Sequence, residues 1–360
     1  MPAPPRLPSS YCPARICRGP GRRGLAVALS LAALALTACQ SQSNSAETAG
    51  PPPVGHYEGS INPAGQPAMR AALDIRHPRP GHYEAELTVP ATGTLSFVAD
   101  TVAFAGNRLR LVRPARPGQV LTLTLDGDFW RGSLALDSAQ APTLLVKRGT
   151  PTPSAYRVEK LPQANSTAWL FAPADTSTPG AALALLPAAE TRATAALWAD
   201  ALAREGIIVL LLPAVDSTTA ETEIPRLQAA LRQLRATAGA DTANLGLWAM
   251  GPRAAALVQA LAGPSGPRVA FAVTQNAGLD PATRTAFREL KRRKLPVLGL
   301  YGGAAAGPQA AALRNALGGR RGQAGRAYRA AGPDLLVAGP FSPRFGPGLP
   351  GEVVEWLRSR

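Results

Sequence analysis

The sequence predicts an α/β protein in which a small antiparallel all-β domain precedes a mostly parallel, doubly wound sheet. Three observations lead there. Residues 56–147 alternate apolar and polar side chains with a period of two, and short turn signals cut the alternation into strand-length runs. From residue 166 onward, continuous apolar runs alternate with stretches of helical period, the pattern of strands covered on both faces by helices. The composition of the 360 residues, 46% hydrophobic and 17% charged with 35 Gly and 36 Pro, belongs to a globular chain rather than a disordered or collagenous one.

The elements follow in order. Residues 1–23 are basic and Pro-rich, and Gly24–Ala38 is an uncharged apolar run of fifteen residues, the length of a secretory h-region and too short for a spanning helix. The run ends in Leu36-Thr37-Ala38-Cys39, which resembles the bacterial lipobox. That resemblance implies a signal peptide over 1–38, acylation of Cys39 by diacylglyceryl and palmitate-class chains, and a lipid-anchored protein exported to the cell envelope. Two or more chains on one residue hold a membrane stably where a single chain is marginal. Cys12 and Cys17 then leave with the signal, so no free thiol is expected, which sets aside thiol nucleophiles, thiolate zinc sites and disulfides. Residues 39–54 read as a polar tether ending in prolines.

Residues 55–148 form the β-domain. Eight runs (HYEGSI, AALDIR, HYEAELTVP, TLSFVADTVAFAG, RLRLV, LTLTLDG, WRGSLAL, TLLVK) are separated by PRPG, ATG, GN, RPG and DG, and predict about eight strands in a small sandwich or barrel. Residues 149–165 carry Pro and polar side chains and read as a linker. The domain over 166–360 places strands at 181–187, 206–213, 244–250, 268–274 and 295–301. Between or after them lie helical stretches ATAALWADALAREG, IPRLQAALRQLRATAG, AAALVQALAG and AAALRNALGG, each ending at or near Gly.

In such a sheet, ligands and nucleophiles belong at the carboxyl ends of strands, in the turns leading into helices. The stretch Asn244-Leu245-Gly246-Leu247-Trp248-Ala249-Met250-Gly251-Pro252-Arg253 resembles the strand–elbow–helix segment of the α/β-hydrolase superfamily. The β-domain, opened by Gly55-His56-Tyr57-Glu58-Gly59 and closed by Trp130-Arg131-Gly132-Ser133 and LLVKR, resembles the N-terminal module of secreted bacterial members, and Glu355-Trp356-Leu357 matches the family's last helix. Set on the family pattern Gly-x-Ser-x-Gly, the serine position is Gly251, Pro252 removes an oxyanion N–H, and Arg253 replaces a small residue. Tyr301-Gly302-Gly303-Ala304-Ala305 resembles the segment that carries the acid, with Ala305 in its place. Pro333-Asp334-Leu335-Leu336 stands where the histidine is expected, with Asp334 in its place, and no histidine follows His82. The resemblance thus implies an α/β-hydrolase fold without its triad, Gly251, Ala305 and Asp334 marking the degenerate positions. Arg253 is the candidate ligand contact, pairing with Asp334 or holding an anion.

The remaining chemistry is sparse. Ser265, in Gly263-Pro264-Ser265-Gly266-Pro267, and Ser217, beside Asp216, are the serines on which an atypical esterase or peptidase reading rests, although Ser217 reads better as a helix cap. His56, His77 and His82 read as strand-edge residues, with His77 and His82 flanking a Pro-rich turn across which they meet only as a weak metal pair. The net charge of +15 is an arginine excess, since Lys occurs only at 147, 160, 291 and 294, and its one cluster is Lys291-Arg292-Arg293-Lys294. Without a basic stripe interleaved with aromatics, nucleic acid is not an expected partner, and no metal or cofactor is expected. Three readings remain: a non-hydrolytic α/β-hydrolase-like protein binding a small molecule or envelope partner, an esterase or peptidase with an atypical serine, and a salt-sensitive module for anionic polymers.

Overall fold

The computed structural model describes residues 51–137, 139–163, 166–216, 218–318 and 324–360. Cys39, the signal segment 1–38 and Ser217 lie outside the described residues. The first sheet holds nine antiparallel strands: β1 (Gly55–Ile61), β2 (Met69–Arg79), β3 (His82–Thr88), β4 (Phe97–Val98), β5 (Thr101–Ala105), β6 (Arg108–Arg113), β7 (Arg116–Asp126), β8 (Phe129–Leu136) and β9 (Ala139–Gly149). Their order is β4-β3-β2-β1-β9-β8-β7-β6-β5. Only Ala99 and Asp100 separate β4 on one edge from β5 on the other, so the sheet curls until its edges approach.

The expected small antiparallel domain of about eight strands is seen as nine strands in one curled sheet, which partly fits the barrel alternative: the run TLSFVADTVAFAG divides at Asp100 between its two edges. Alternate side chains, among them Tyr57, Leu73, Leu87, Leu121, Trp130 and Leu145, fill its interior. Curling brings strands close. A Cβ on Gly59 would lie 2.0 Å from the Leu144 carbonyl oxygen, so only glycine fits there.

The second sheet comprises β10 (Tyr156–Gln163), β11 (Ser166–Pro173), β12 (Gly180–Leu186), β13 (Ile208–Leu211), β14 (Ala240–Met250), β15 (Phe271–Gln275), β16 (Val297–Gly302) and β17 (Ala324–Tyr328). The order is β10-β11-β13-β12-β14-β15-β16-β17; β11 opposes both neighbours, and the pairs from β12 and β13 onward are parallel. Among the described residues, six α-helices accompany it: α1 (Arg192–Arg204), α2 (Ala220–Arg235), α3 (Pro252–Ala262), α4 (Pro281–Arg292), α5 (Ala306–Leu317) and α6 (Gly351–Arg358). Along β12, Leu183 and Leu185 pack with Trp198 of α1 and Leu357 of α6, whereas Ala182, Ala184 and Leu186 pack with residues of α2 to α5. Both faces are covered, which is why β12 reads as an unbroken apolar run.

Two boundaries differ from expectation. The proposed linker 149–165 contains β10, an edge strand whose half-open face tolerates Lys160, Pro162 and Gln163 and so hides the strand's period. Ser217 is not needed as a cap: Thr219 is the N-cap of α2, forming a capping box with Thr222.

The two sheets belong to one compact unit, joined by buried polar links. Arg113 at the end of β6 is 1% exposed and ion-paired to Asp200 of α1. Asp200 Oδ1 accepts from Tyr156 Oη at 2.7 Å, and that oxygen accepts from Val98 N at 3.0 Å. Burial, with Asp200 beside it, holds the Tyr156 phenol well above its ordinary value, so it remains a donor. Glu86 adds a second link, accepting from Arg76 at 3.0 Å and from Arg204 of α1 at 2.7 Å. Among the described residues, no helix is long and apolar enough to cross a membrane.

Candidate functional site

The strand order reverses beside β12. The chain leaves β12 through α1 on one face to β13, then returns to β14 on the other side of β12 and leaves through α3 on the opposite face. Loops diverging from the carboxyl ends of two adjacent strands leave a crevice between them.

Gly251 forms the turn from β14 into α3 with φ 59 and ψ −140, a conformation open to glycine and costly for other residues. Its N–H donates to the Gln275 carbonyl at 2.9 Å, so the elbow is tied to the end of β15. Pro252 follows at the first helical position and offers no N–H. Ala305 is the N-cap of α5, beyond β16, and is exposed. Asp334 lies in the loop after β17, where its Oδ1 accepts from Leu336 N at 3.1 Å.

Two amides gather these segments. Gln275 Nε2 donates to the Pro333 carbonyl at 3.3 Å, Asn276 Nδ2 donates to the same oxygen, and Asn276 Oδ1 accepts from Gly302 N at 3.0 Å. The elbow, the end of β16 and the Asp334 loop are therefore bonded to the two residues that close β15. Gln275 is fully buried and its Oε1 has no partner, nor does the buried Thr274 Oγ1.

Glu190 escapes sequence reasoning altogether. It lies in a short 3-10 turn after β12, is exposed, and has no hydrogen-bond or ion-pair partner among the described residues. Its Oε1 stands 2.7 Å from where a Cβ on Gly251 would project, so a carboxylate occupies the space above the elbow. No spacing rule links residues that meet only through strand order.

Arg253 departs from expectation. It is 2% exposed and grips Glu223 of α2 through Nε and Nη2, both at 3.1 Å, while Nη1 donates to the Pro187 and Pro213 carbonyls at 3.1 Å. A cavity of about 420 Å³ between β13 and α2 touches it. Its charge is matched by fully buried Glu223 rather than by Asp334 or a bound anion, and it fastens the loops after β12 and β13 to α2.

The other candidates scatter. Ser265 is exposed between α3 and β15, at the amino end of the sheet and away from the crevice. His77 stacks on Tyr83 with ring centroids 4.4 Å apart, and His82 faces Glu84 at 3.5 Å, so the two rings are engaged separately. His56 Nδ1 lies 2.9 Å from Asp74 and Nε2 3.3 Å from Glu58. Burial alone lowers its pKa, but these two carboxylates outweigh that and raise it. Among the described residues, no three His, Cys, Asp or Glu side chains converge as metal ligands.

No family model matches the chain, and no curated protein does either. Among solved structures, the chain is similar to a crystal structure described as a dienelactone hydrolase from Klebsiella pneumoniae subsp. pneumoniae MGH 78578. Identity is 16% and the TM-score 0.36, with 50% of this chain and 88% of that one covered.

Proposed function

We propose that this is an exported envelope lipoprotein, anchored through acylated Cys39, whose residues 166–360 form a doubly wound α/β-hydrolase-like domain that binds rather than hydrolyses. The observation that carries the reading is the Glu190 carboxylate above Gly251. In a serine hydrolase of this superfamily, the elbow presents a hydroxyl, and N–H groups from the residue after it and from the loop after the third strand hold the oxyanion. Here β12 is the third strand of its sheet. Its loop contributes an anion, the elbow contributes no oxygen, and Pro252 contributes no N–H. A carboxylate beside the elbow opposes the build-up of further negative charge there, and no imidazole exists in this half to accept a proton.

What the crevice retains suits recognition: an exposed carboxylate, and loops anchored by the Gln275 and Asn276 amides beneath it. A neutral or cationic small molecule, or an envelope partner presenting such a group, fits that chemistry. Nitrophenyl-ester turnover and fluorophosphonate labelling test the non-hydrolytic reading. Neither is expected above background in the wild type, and turnover abolished by one serine substitution overturns it. For the anchor, Cys39→Ala is expected to release the protein from membranes or leave it unprocessed.

A further inference from the structure

A cavity of about 940 Å³ lies on the first sheet rather than at the elbow. Outward positions of β2, β1, β9 and β8 line up across it in two rows fixed by strand register. Ala72, Glu58, Val146 and Phe129 form one; Arg70, Ser60 and Leu144 form the next. An outward face should be polar. Phe129 and Leu144 nevertheless stand 39% and 38% exposed there, two of only three large hydrophobics so exposed among the described residues. Pro340 and Phe341 supply an opposing apolar wall, in a segment pinned by the Thr94 hydroxyl, which donates to the Pro343 carbonyl at 2.6 Å.

Charge at the rim is one-sided. Arg70, Arg148 and Arg344 line the groove, are exposed, and have no carboxylate partner among the described residues. The single acid, Glu58, already faces His56 at 3.3 Å. Apolar walls with cationic groups along the rim, in a volume typical of small-molecule sites, match a ligand with one apolar chain and one anionic end.

We infer that this groove binds a single-chain amphiphile with a carboxylate headgroup, its chain along Phe129, Leu144 and Val146 and its headgroup within reach of the rim arginines. The site is on a different sheet from the elbow and does not depend on whether the elbow is catalytic.

The test uses the full chain in its own membrane and a twelve-carbon carboxylate carrying a diazirine on the chain. Saturable photolabelling is expected on peptides containing Phe129, Leu144 or Phe341, competed by dodecanoate and not by neutral dodecyl maltoside. Reversing charge with Arg70→Glu and Arg148→Glu together should cut labelling about tenfold, a difference of about 1.4 kcal/mol in binding. Arg110→Glu, at an exposed position on β6 that does not line the groove, should leave it unchanged. Leu144→Asp should abolish labelling, and Phe129→Ser serves the same purpose if that variant does not fold. Labelling that is dispersed, that dodecanoate does not compete as in a bilayer contact, or that neutral surfactant competes equally would overturn the inference.

Discussion

Arginine is used in opposite ways at the carboxyl edge of the second sheet and on the outer face of the first. Arg253 is 2% exposed and bound to a carboxylate and two backbone carbonyls, whereas Arg70, Arg148 and Arg344 are exposed with no carboxylate partner among the described residues. A cation at a place where a fold expects a ligand is thus no sign of one. A guanidinium removed from water must be neutralised by the protein itself, because leaving it unpaired is strongly destabilising. One left at the rim of a groove keeps its hydration until an anion replaces it. Arg113, buried against Asp200, behaves like Arg253: it fastens two sheets together as Arg253 fastens two loops to α2.

Removing the buried partners tests this contrast most severely. Glu223→Ala and Asp200→Ala each strand a buried guanidinium and should lower unfolding free energy by roughly 3–5 kcal/mol, read by urea denaturation. The pair Arg253→Met with Glu223→Leu should recover most of that loss, since the cost lies in the uncompensated charge and not in the absence of the ion pair. Arg70→Ala should leave the urea midpoint essentially unchanged; a drop as large as that of Glu223→Ala would break the contrast.

A smaller effect belongs to the elbow. Gly251→Ser puts a Cβ into positive φ and against the Glu190 carboxylate, and a loss of roughly 1–3 kcal/mol is expected without any gain of ester hydrolysis. Adding Glu190→Ala should relieve part of the loss in stability and still yield no esterase, because neither change supplies a base. Turnover in the double variant would show that the missing hydroxyl and the Glu190 carboxylate together had silenced the site.

The smallest effect is a pH dependence on the first sheet. His56 has its pKa raised above 6.5 in the folded protein by Asp74 and Glu58, against the lowering effect of burial. Its contribution to stability is therefore complete below about pH 6.5 and is lost as pH rises through the raised value. The difference in Tm between wild type and His56→Asn should be larger near pH 6 than near pH 8. An unchanged or inverted difference would mean that the pair with Asp74 does not hold the imidazolium.

Legibility in the sequence followed burial with one exception, β11, which is interior and carries buried Ala168, Leu170, Phe171 and Ala172 yet is not among the strands read from the sequence. Strands β12 to β16, covered on both faces, announced themselves as apolar runs, and the turn at Gly251 was located by the strand before it and the helix after it. Edge strands β10 and β17 carry Lys160, Pro162 and Arg326 on open faces, and their periods dissolve into what looks like linker. Helix α4 was equally faint: only Thr283, Ala286, Phe287 and Leu290 of its twelve residues turn inward, although Asp280-Pro281 marks its start with a side-chain cap.

The sequence by itself determined what chemistry the second half lacks: no imidazole after His82, no hydroxyl at 251, no N–H at 252 and no carboxylate at 305, all matters of residue type. Only the tertiary structure decided what takes their place. Glu223 meets Arg253 across 30 residues of chain, Asp200 meets Arg113 across 87, and Glu190 reaches Gly251 because β12 and β14 are neighbours while β13 lies elsewhere in the order. Local propensity carries no information about such meetings. Strand order and burial decide which charges must be matched inside the protein and which remain outside for a ligand.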